Sequence, residues 1–406
     1  MAEKRLEAAA HGGDKRCRGP GLRLRAQHLD RPLGPEGLCE AAGACGFQNT
    51  PPGAWELAAL CRVEGLGVRE LRAALEEEKT LLQAWSLRGA PYVFPTAEAG
   101  VFLSPLAALP GEEPWVYTQG ITAALDCLGL GFYELLPAVM EAARLLERRS
   151  VLSKEELDRV LAEAAEPLIP SEKLPLWRDG TMYGDPEKQS VGGAVVSFML
   201  RPCAFAGLVV FGRRQGASPE FVSPKLWLGR GLEAAPDAGA GLVRKFLRCY
   251  APATERELAA WLGSSPAQAR RLWRAVEPEL VPVLCGGKKK YALACQLEEF
   301  RGSEPGTSLL LLGPHDPYLD ARDRELIAPD VKIQRQLWRY VGNPGAVLRG
   351  GRAVGQWRQK TSRGAAELTV QLFEPLAEPE LRRLKELAER LCSARGLGLR
   401  RLDITE

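Results

Sequence analysis

Between residues 241 and 295 the apolar positions first keep helical spacing and then change to alternation. In GLVRKFLRCYAP, Leu242, Phe246 and Leu247 share one side and Pro252 ends the run, which predicts a first helix. Thr254 and Glu257 make a capping box that opens a second helix, closing near LGSS. Ser265, Pro266 and Gln268 repeat the signature with proline at the first helical position, and the third helix runs to about Val276. LVPVLCGGKKKYALAC then predicts a hairpin about Gly286-Gly287, with Lys288, Lys289 and Lys290 at its tip. Three helices followed by a basic hairpin is the winged-helix pattern. Arg270, Arg271 and Arg274 on the third helix, together with the three lysines, are candidates for DNA contact.

Weaker copies of this plan precede it. LLQAW and APYVF predict two strands after a helix in GVRELRAALEEEK. FYELLPAVMEAARLLERR and SKEELDRVLAEAA predict helices, the second capped by Ser153 and Glu156, and AGLVVFG predicts a strand. The longest apolar stretch, residues 191–212, is cut at Arg201-Pro202, leaving pieces too short to span a bilayer. After residue 305 the pattern turns β-rich. A buried strand TSLLLL, a three-stranded meander over 345–376 and a closing amphipathic helix EPELRRLKELAERLCSARG follow in order. The predicted fold class is α+β, with tandem winged-helix domains and a C-terminal meander-plus-helix domain. The expected boundaries are a disordered basic tail over 1–20, winged-helix-like units over 21–110 and 111–240, a winged helix over 241–300, and the β-rich domain over 301–406.

Composition narrows the chemistry. A chain of 406 residues exceeds one small core, and 46% apolar with 26% charged residues is ordinary for a globular protein. The N-terminal sequence lacks an apolar run of signal-peptide length, so a cytoplasmic, nucleoid-associated protein is expected. Ten cysteines include no C-x-x-C pair and the histidines are only His11, His28 and His315, so neither a zinc site nor a His-based triad is expected. No phosphate-binding loop or G-x-S-x-G elbow is present, and no cofactor or metal is predicted.

The net charge of +3 says little, but its distribution says more. From Val331 to Ala366 there is no Asp or Glu. Lys332, Arg335, Arg339, Arg349, Arg352, Arg358, Lys360 and Arg363 alternate there with Trp338, Tyr340 and Trp357. A basic stripe interleaved with aromatics predicts a nucleic-acid surface; the alternative is a solvated face beside a neutral core. One further stretch stands out. In CGFQNTPPGAWELAAL, Gln48, Asn49 and Thr50 sit against a double proline and a helix start. Either they cap the helix or they hold a ligand.

RLRAQHL, CGFQNTPPG, LLQAWSLRGAPYVFPT, HDPYLDARDR and GGRAVGQWR occur in an order that resembles the bacterial tandem winged-helix DNA-binding superfamily. That superfamily includes DNA glycosylases that excise alkylated purines and unhook interstrand crosslinks. The resemblance covers most of residues 21–395. It implies that Gln48 is the first residue of a Gln-x-Gln or Gln-x-Asp motif that holds the attacking water, with Thr50 departing from the third position. Gln48 and Thr50 are therefore the expected catalytic pair. Asn49, Arg88 of the Trp-x-x-Arg-Gly segment, and Trp357, Arg358, Lys360 and Arg363 of the basic hairpin are expected at the DNA, with Trp85 in the core. Asp316, after the LLLL strand, is expected either near the site or as a turn anchor. The implied function is a monomeric DNA glycosylase acting on alkylated or bulky-adduct bases in duplex DNA. The alternative is a non-catalytic winged-helix protein, regulatory or adduct-sensing.

Overall fold

A computed structural model describes residues 19–216, 218–302, 306–320 and 322–406. All but the last two residues of the expected N-terminal tail, including His11, lie outside these. Among the described residues, six strands form one sheet: β1 Phe47–Gln48, β2 Leu81–Trp85, β3 Pro91–Pro95, β4 Val151–Leu152, β5 Val210–Gln215 and β6 Ser218–Val222, in the order β1-β3-β2-β5-β6-β4. The two segments expected as separate units before residue 240 thus share a sheet, joined where Gln83 of β2 pairs with Phe211 of β5. LLQAW is almost wholly buried, as a strand covered on both faces must be, with Leu82 and Ala84 in one core and Leu81 and Trp85 in others. Trp85 stacks on Phe221 at 5.3 Å in the core.

The apolar stretch after residue 190 is one helix, Val191–Phe205, and Arg201-Pro202 does not cut it. Pro202 lies in the last turn of the helix, so it forfeits one i→i−4 bond there without dividing the apolar stretch. Arg201 remains inside the helix, and its Nη1 donates to Ser197 O at 2.6 Å. The helix is apolar nearly all round because it is core, contributing Val195, Val196, Met199 and Leu200. Among the described residues no single helix is long and apolar enough to cross a membrane.

Helices Ala238–Tyr250, Glu255–Leu262 and Pro266–Arg274 are followed by the hairpin of β7 Leu280–Cys285 and β8 Lys288–Leu293. Thr254 and Glu257 make the reciprocal cap. Ser265 also caps, accepting from Gln268 N at 3.2 Å, but Gln268 does not close a box. Its fully buried amide donates instead to Pro105 O and Leu106 O at 3.0 and 2.9 Å, pinning this helix to the segment before it. Gly286 and Gly287, with φ of 58° and 76°, make the two-residue turn that glycine pairs favour.

The C-terminal sheet runs β13-β12-β11-β10-β9, from β9 Leu309–Leu312, β10 Gly345–Arg349, β11 Arg352–Ser362, β12 Ala365–Leu372 and β13 Gly398–Thr405. Gly350-Gly351 and Arg363-Gly364, all at positive φ, turn its two hairpins. The meander is as expected; β13 is not. The helix Glu378–Ala394 crosses over and lays β13 parallel to β12. Trp55, Leu57 and Ala58 of the helix after the double proline pack with Leu311, Val347 and Trp357 of this sheet and with Phe47 of β1, so the two ends of the chain share a core.

Candidate active site

The β2–β3 connection presents Arg88. Ser86, fully buried, donates its hydroxyl to Phe102 O at 2.7 Å and its N–H to Ala90 O, which closes a tight loop. Arg88 sits at φ 56°, a left-handed conformation that costs a non-glycine residue roughly 1–3 kcal/mol and that collects at functional sites. Gly263 packs against it so closely that an added Cβ would stand 2.7 Å from Arg88 Cα. Both terminal nitrogens of the Arg88 guanidinium are engaged. Nη1 donates to Trp261 O at 3.0 Å; Nη2 donates to Gln48 Oε1 at 2.9 Å, to Asp320 Oδ2 at 2.8 Å and to the Tyr92 hydroxyl. Burial opposes its charge, but Asp320 outweighs that and holds the group more firmly protonated than usual.

Gln48 pairs across the sheet with Tyr92. The Tyr92 hydroxyl lies 3.3 Å from both Gln48 Oε1 and Asp320 Oδ2, and burial keeps it protonated. A guanidinium offers only donors, so the carboxamide atom facing Arg88 is the oxygen. Gln48 Oε1 therefore accepts from Arg88, the single Tyr92 proton is in reach of either Gln48 Oε1 or Asp320 Oδ2, and the amide nitrogen of Gln48 faces away from Arg88. The oxygen of Gln48, a residue expected with Thr50 to hold the attacking water, is thus engaged by Arg88. Thr50 is exposed and, among the described residues, its hydroxyl makes no hydrogen bond. Asp320, at the end of the short turn Pro317–Asp320, is partly open, with 16% of its side chain accessible. Among the described residues its Oδ1 accepts no hydrogen bond. His315 lies near enough to feel both Asp320 and Arg88, but burial is the larger effect and pushes its pKa down, so it stays neutral.

Asp316 is the anchor of this turn. It makes a two-point ion pair with Arg62, at 2.8 Å to each oxygen, and also accepts from Tyr318 N at 2.9 Å. Arg62 and Asp316 are 1% and 0% exposed. Arg62 follows the helix Ala54–Leu60 and donates to Ala58 O, so the pair ties the Asp320 turn to the segment that carries Gln48.

The other predicted contacts divide. Asn49 is buried and serves the fold: its Oδ1 accepts from Gly53 N at 2.7 Å and its Nδ2 donates to Gln83 at 3.0 Å, closing the turn into the helix. Trp357 is core, donating to Leu312 O at 2.7 Å against a Gly345 whose added Cβ would meet the indole at 2.1 Å. Arg88 is half-buried and turned to Gln48, Tyr92 and Asp320. Lys290 is buried between Glu257 and Asp323, at 2.7 and 3.0 Å. Arg23 also pairs with Asp323 at 2.7 Å; burial raises the Asp323 pKa, but these cations hold it down to about 2. Arg271 is tied to Glu112 at 2.7 Å, beside the edge that Gln268 pins, so that side of the helix is covered. Arg270, Arg274, Lys288, Lys289, Arg358, Lys360 and Arg363 are exposed. Of the wider stripe, Lys332, Arg335, Arg339 and Arg352 are exposed, while Arg349 pairs with Glu374 and Glu380. Sequence reasoning did not find Asp320 or Tyr92. Asp320 is one of four acids in HDPYLDARDRE and carries no local mark, and Tyr92 reads as an ordinary strand aromatic.

The family model described as "DNA glycosylase AlkZ-like" matches residues 41–394. A curated relative, "Interstrand DNA cross-link repair glycosylase" from Streptomyces sahachiroi, is 25% identical over 403 residues, spanning 94% of this chain and 96% of the relative. The solved structure of Streptomyces sahachiroi DNA glycosylase AlkZ has a similar fold, with a TM-score of 0.74 at 21% identity over 95% of this chain and 98% of that one.

Proposed function

Since the chain belongs to the AlkZ-like family of DNA glycosylases, we propose that Asp320, oriented by Arg88 and flanked by Gln48 and Tyr92, places the water that hydrolyses the N-glycosidic bond of an alkylated or bulky-adduct purine, crosslinked purines included. The observation that carries this reading is the partly open Asp320 carboxylate, with one oxygen fixed by Arg88, which also binds Gln48, and the other without a hydrogen-bond partner among the described residues. An N7-alkylated purine is a cation. When its C1′–N9 bond breaks, the bonding electrons go to the base and neutralise it, leaving an oxocarbenium-like sugar. The carboxylate stabilises that positive charge and accepts the proton of the water as its oxygen bonds to C1′. Arg88 fixes the carboxylate in advance, so little reorganisation is left for the reaction. The amide of Gln48, turned away from Arg88, is available to donate to the water or the sugar.

We read the three helices and hairpin over 238–293 as a winged-helix unit and the shared sheet before it as carrying the related units. Arg358, Lys360 and Arg363 at the turned hairpin of β11 and β12 are read as phosphate contacts. Changing these three together to Ala weakens duplex binding and flattens the salt dependence by about one unit of slope per lost phosphate contact. An unchanged slope in equilibrium titrations across salt would remove this hairpin from the interface.

The function is tested by base release from duplex DNA carrying N7-alkylguanine and from a crosslinked duplex, each against undamaged DNA. Release from the modified duplexes alone is expected. Tight binding with no release from either would sink the hydrolytic reading.

A further inference from the structure

The loop Arg339–Pro344 carries the most exposed apolar side chains of the described residues. Tyr340 is 105% and Val341 78% exposed, side by side at its tip. The base of the loop is fixed. Trp338 Nε1 donates to Leu319 O at 2.9 Å, and the Arg324 guanidinium stacks 4.8 Å over the Trp338 ring. Gly342, at φ 71°, turns the chain, and its carbonyl accepts from Arg358 Nη2 at 2.9 Å. A bare tip on an anchored base differs from a frayed loop, whose base would be free as well.

Its position gives the tip a use. One end of the loop bonds Leu319, the residue before Asp320. The other end, Asn343 and Pro344, lines a cleft of about 330 Å³ together with Pro51 and Pro52, which follow Gln48 and Thr50. The two ends of the loop are therefore held at the turn that carries Asp320 and at the double proline that follows Thr50, and the bare tip lies between these ends. Arg339 precedes the tip and Arg358 bonds the loop at Gly342, both are exposed, and the acid-free window that holds them, with Arg335 and Lys360 also exposed, has no Asp or Glu of its own. Cations that meet phosphates and an apolar pair with nothing to cover it match one occupant: the base stack of duplex DNA.

We propose that Tyr340 and Val341 are a wedge that enters the duplex next to the target nucleotide. They part it from its neighbour and open the sugar to the water at Asp320. Reaction at a base held in a stack requires that stack to open, and inserted apolar side chains supply contact in place of the lost base-on-base stacking. A crosslinked base, tied to the opposite strand, cannot swing fully out. Parting the neighbouring step is a route that remains open to it.

This inference rests on the glycosylase reading for its rate, but not for its structural readout. The experiment uses the full chain at saturating concentration on a duplex with 2-aminopurine beside N7-alkylguanine. The natural protein is expected to raise 2-aminopurine fluorescence by unstacking it. Tyr340→Ala with Val341→Ala is expected to lose that rise and to slow base release by about tenfold to a hundredfold. Tyr340→Trp alone keeps both, and an abasic site opposite the lesion, which loosens the stack in advance, restores most of the lost rate to the double variant. If the natural protein gives no rise, or the double variant gives the same rise, the wedge is wrong. A fluorescence rise without base release would instead overturn the glycosylase reading and leave the wedge standing.

Discussion

Asp320→Asn is expected to lower single-turnover base release by about 10²–10⁴-fold, the usual contribution of a positioned proton acceptor, while duplex affinity stays close to that of the natural protein. Asparagine keeps the size of the side chain, and its amide oxygen can still accept from Arg88, so the loop keeps its form. It cannot take a proton from water, and it brings no negative charge to the oxocarbenium. Gln48→Ala is expected to do less, up to about 10²-fold, because it removes one of the acceptors that orient Arg88 and not the proton acceptor. Thr50→Ala is expected to leave the rate nearly unchanged, since the Thr50 hydroxyl is exposed and makes no bond among the described residues. The three variants separate two arrangements of the site. A clamp made of Gln48 and Thr50 requires Thr50→Ala to fall as far as Gln48→Ala. A site built on Asp320 requires Asp320→Asn to fall furthest. A natural rate in Asp320→Asn would end the assignment.

The second large effect is on stability. Asp316→Ala leaves Arg62 charged and 1% exposed with no anion beside it. Breaking such a pair costs about 3–5 kcal/mol, far more than an exposed ion pair, typically worth about 0–1 kcal/mol. The midpoint of denaturant unfolding should fall accordingly. Because Asp316 also holds the turn that carries Asp320, base release should fall in the protein that remains folded. Replacing both partners, Arg62→Met with Asp316→Leu, removes the uncompensated charge and is expected to recover much of the stability. It should not recover the activity, since the tie between the Asp320 turn and the Gln48 segment is gone. If Asp316→Ala unfolds at the natural midpoint, the pair does not support the fold as described. Asp320→Asn makes the contrast: it also takes the anion from Arg88, but that pair is 21% and 16% exposed, so the cost in stability is expected to be smaller than for Asp316→Ala while the loss of activity is larger.

The sequence by itself determined the features that act within a few residues. The caps at Thr254 and Ser265 and the glycine pair at Gly286-Gly287 set the helices and hairpin of 238–293, because each cap or turn is satisfied by groups two or three positions away. The alternation in β12 and the acid-free window were legible for the same reason: both are properties of neighbours. Where the sequence misled, the partner was far along the chain. Gln268 had the spacing of a capping box, yet it bonds carbonyls more than 160 residues away. Lys290 looked like a hairpin tip, but tertiary packing buries it against Glu257 and Asp323. Trp357 sat among cations in the sequence, but on its strand it alternates inward while Arg358 alternates outward. The site shows the limit most plainly. Arg88 and Asp320 are 232 residues apart, and Arg62 and Asp316 are 254 apart. A charged residue in a sequence reads as surface, because burying it alone costs several kcal/mol or more. Only the fold brings up the opposite charge that makes the burial tolerable. That pairing directs the oxygen of Gln48 to Arg88 and leaves Asp320 partly open beside it.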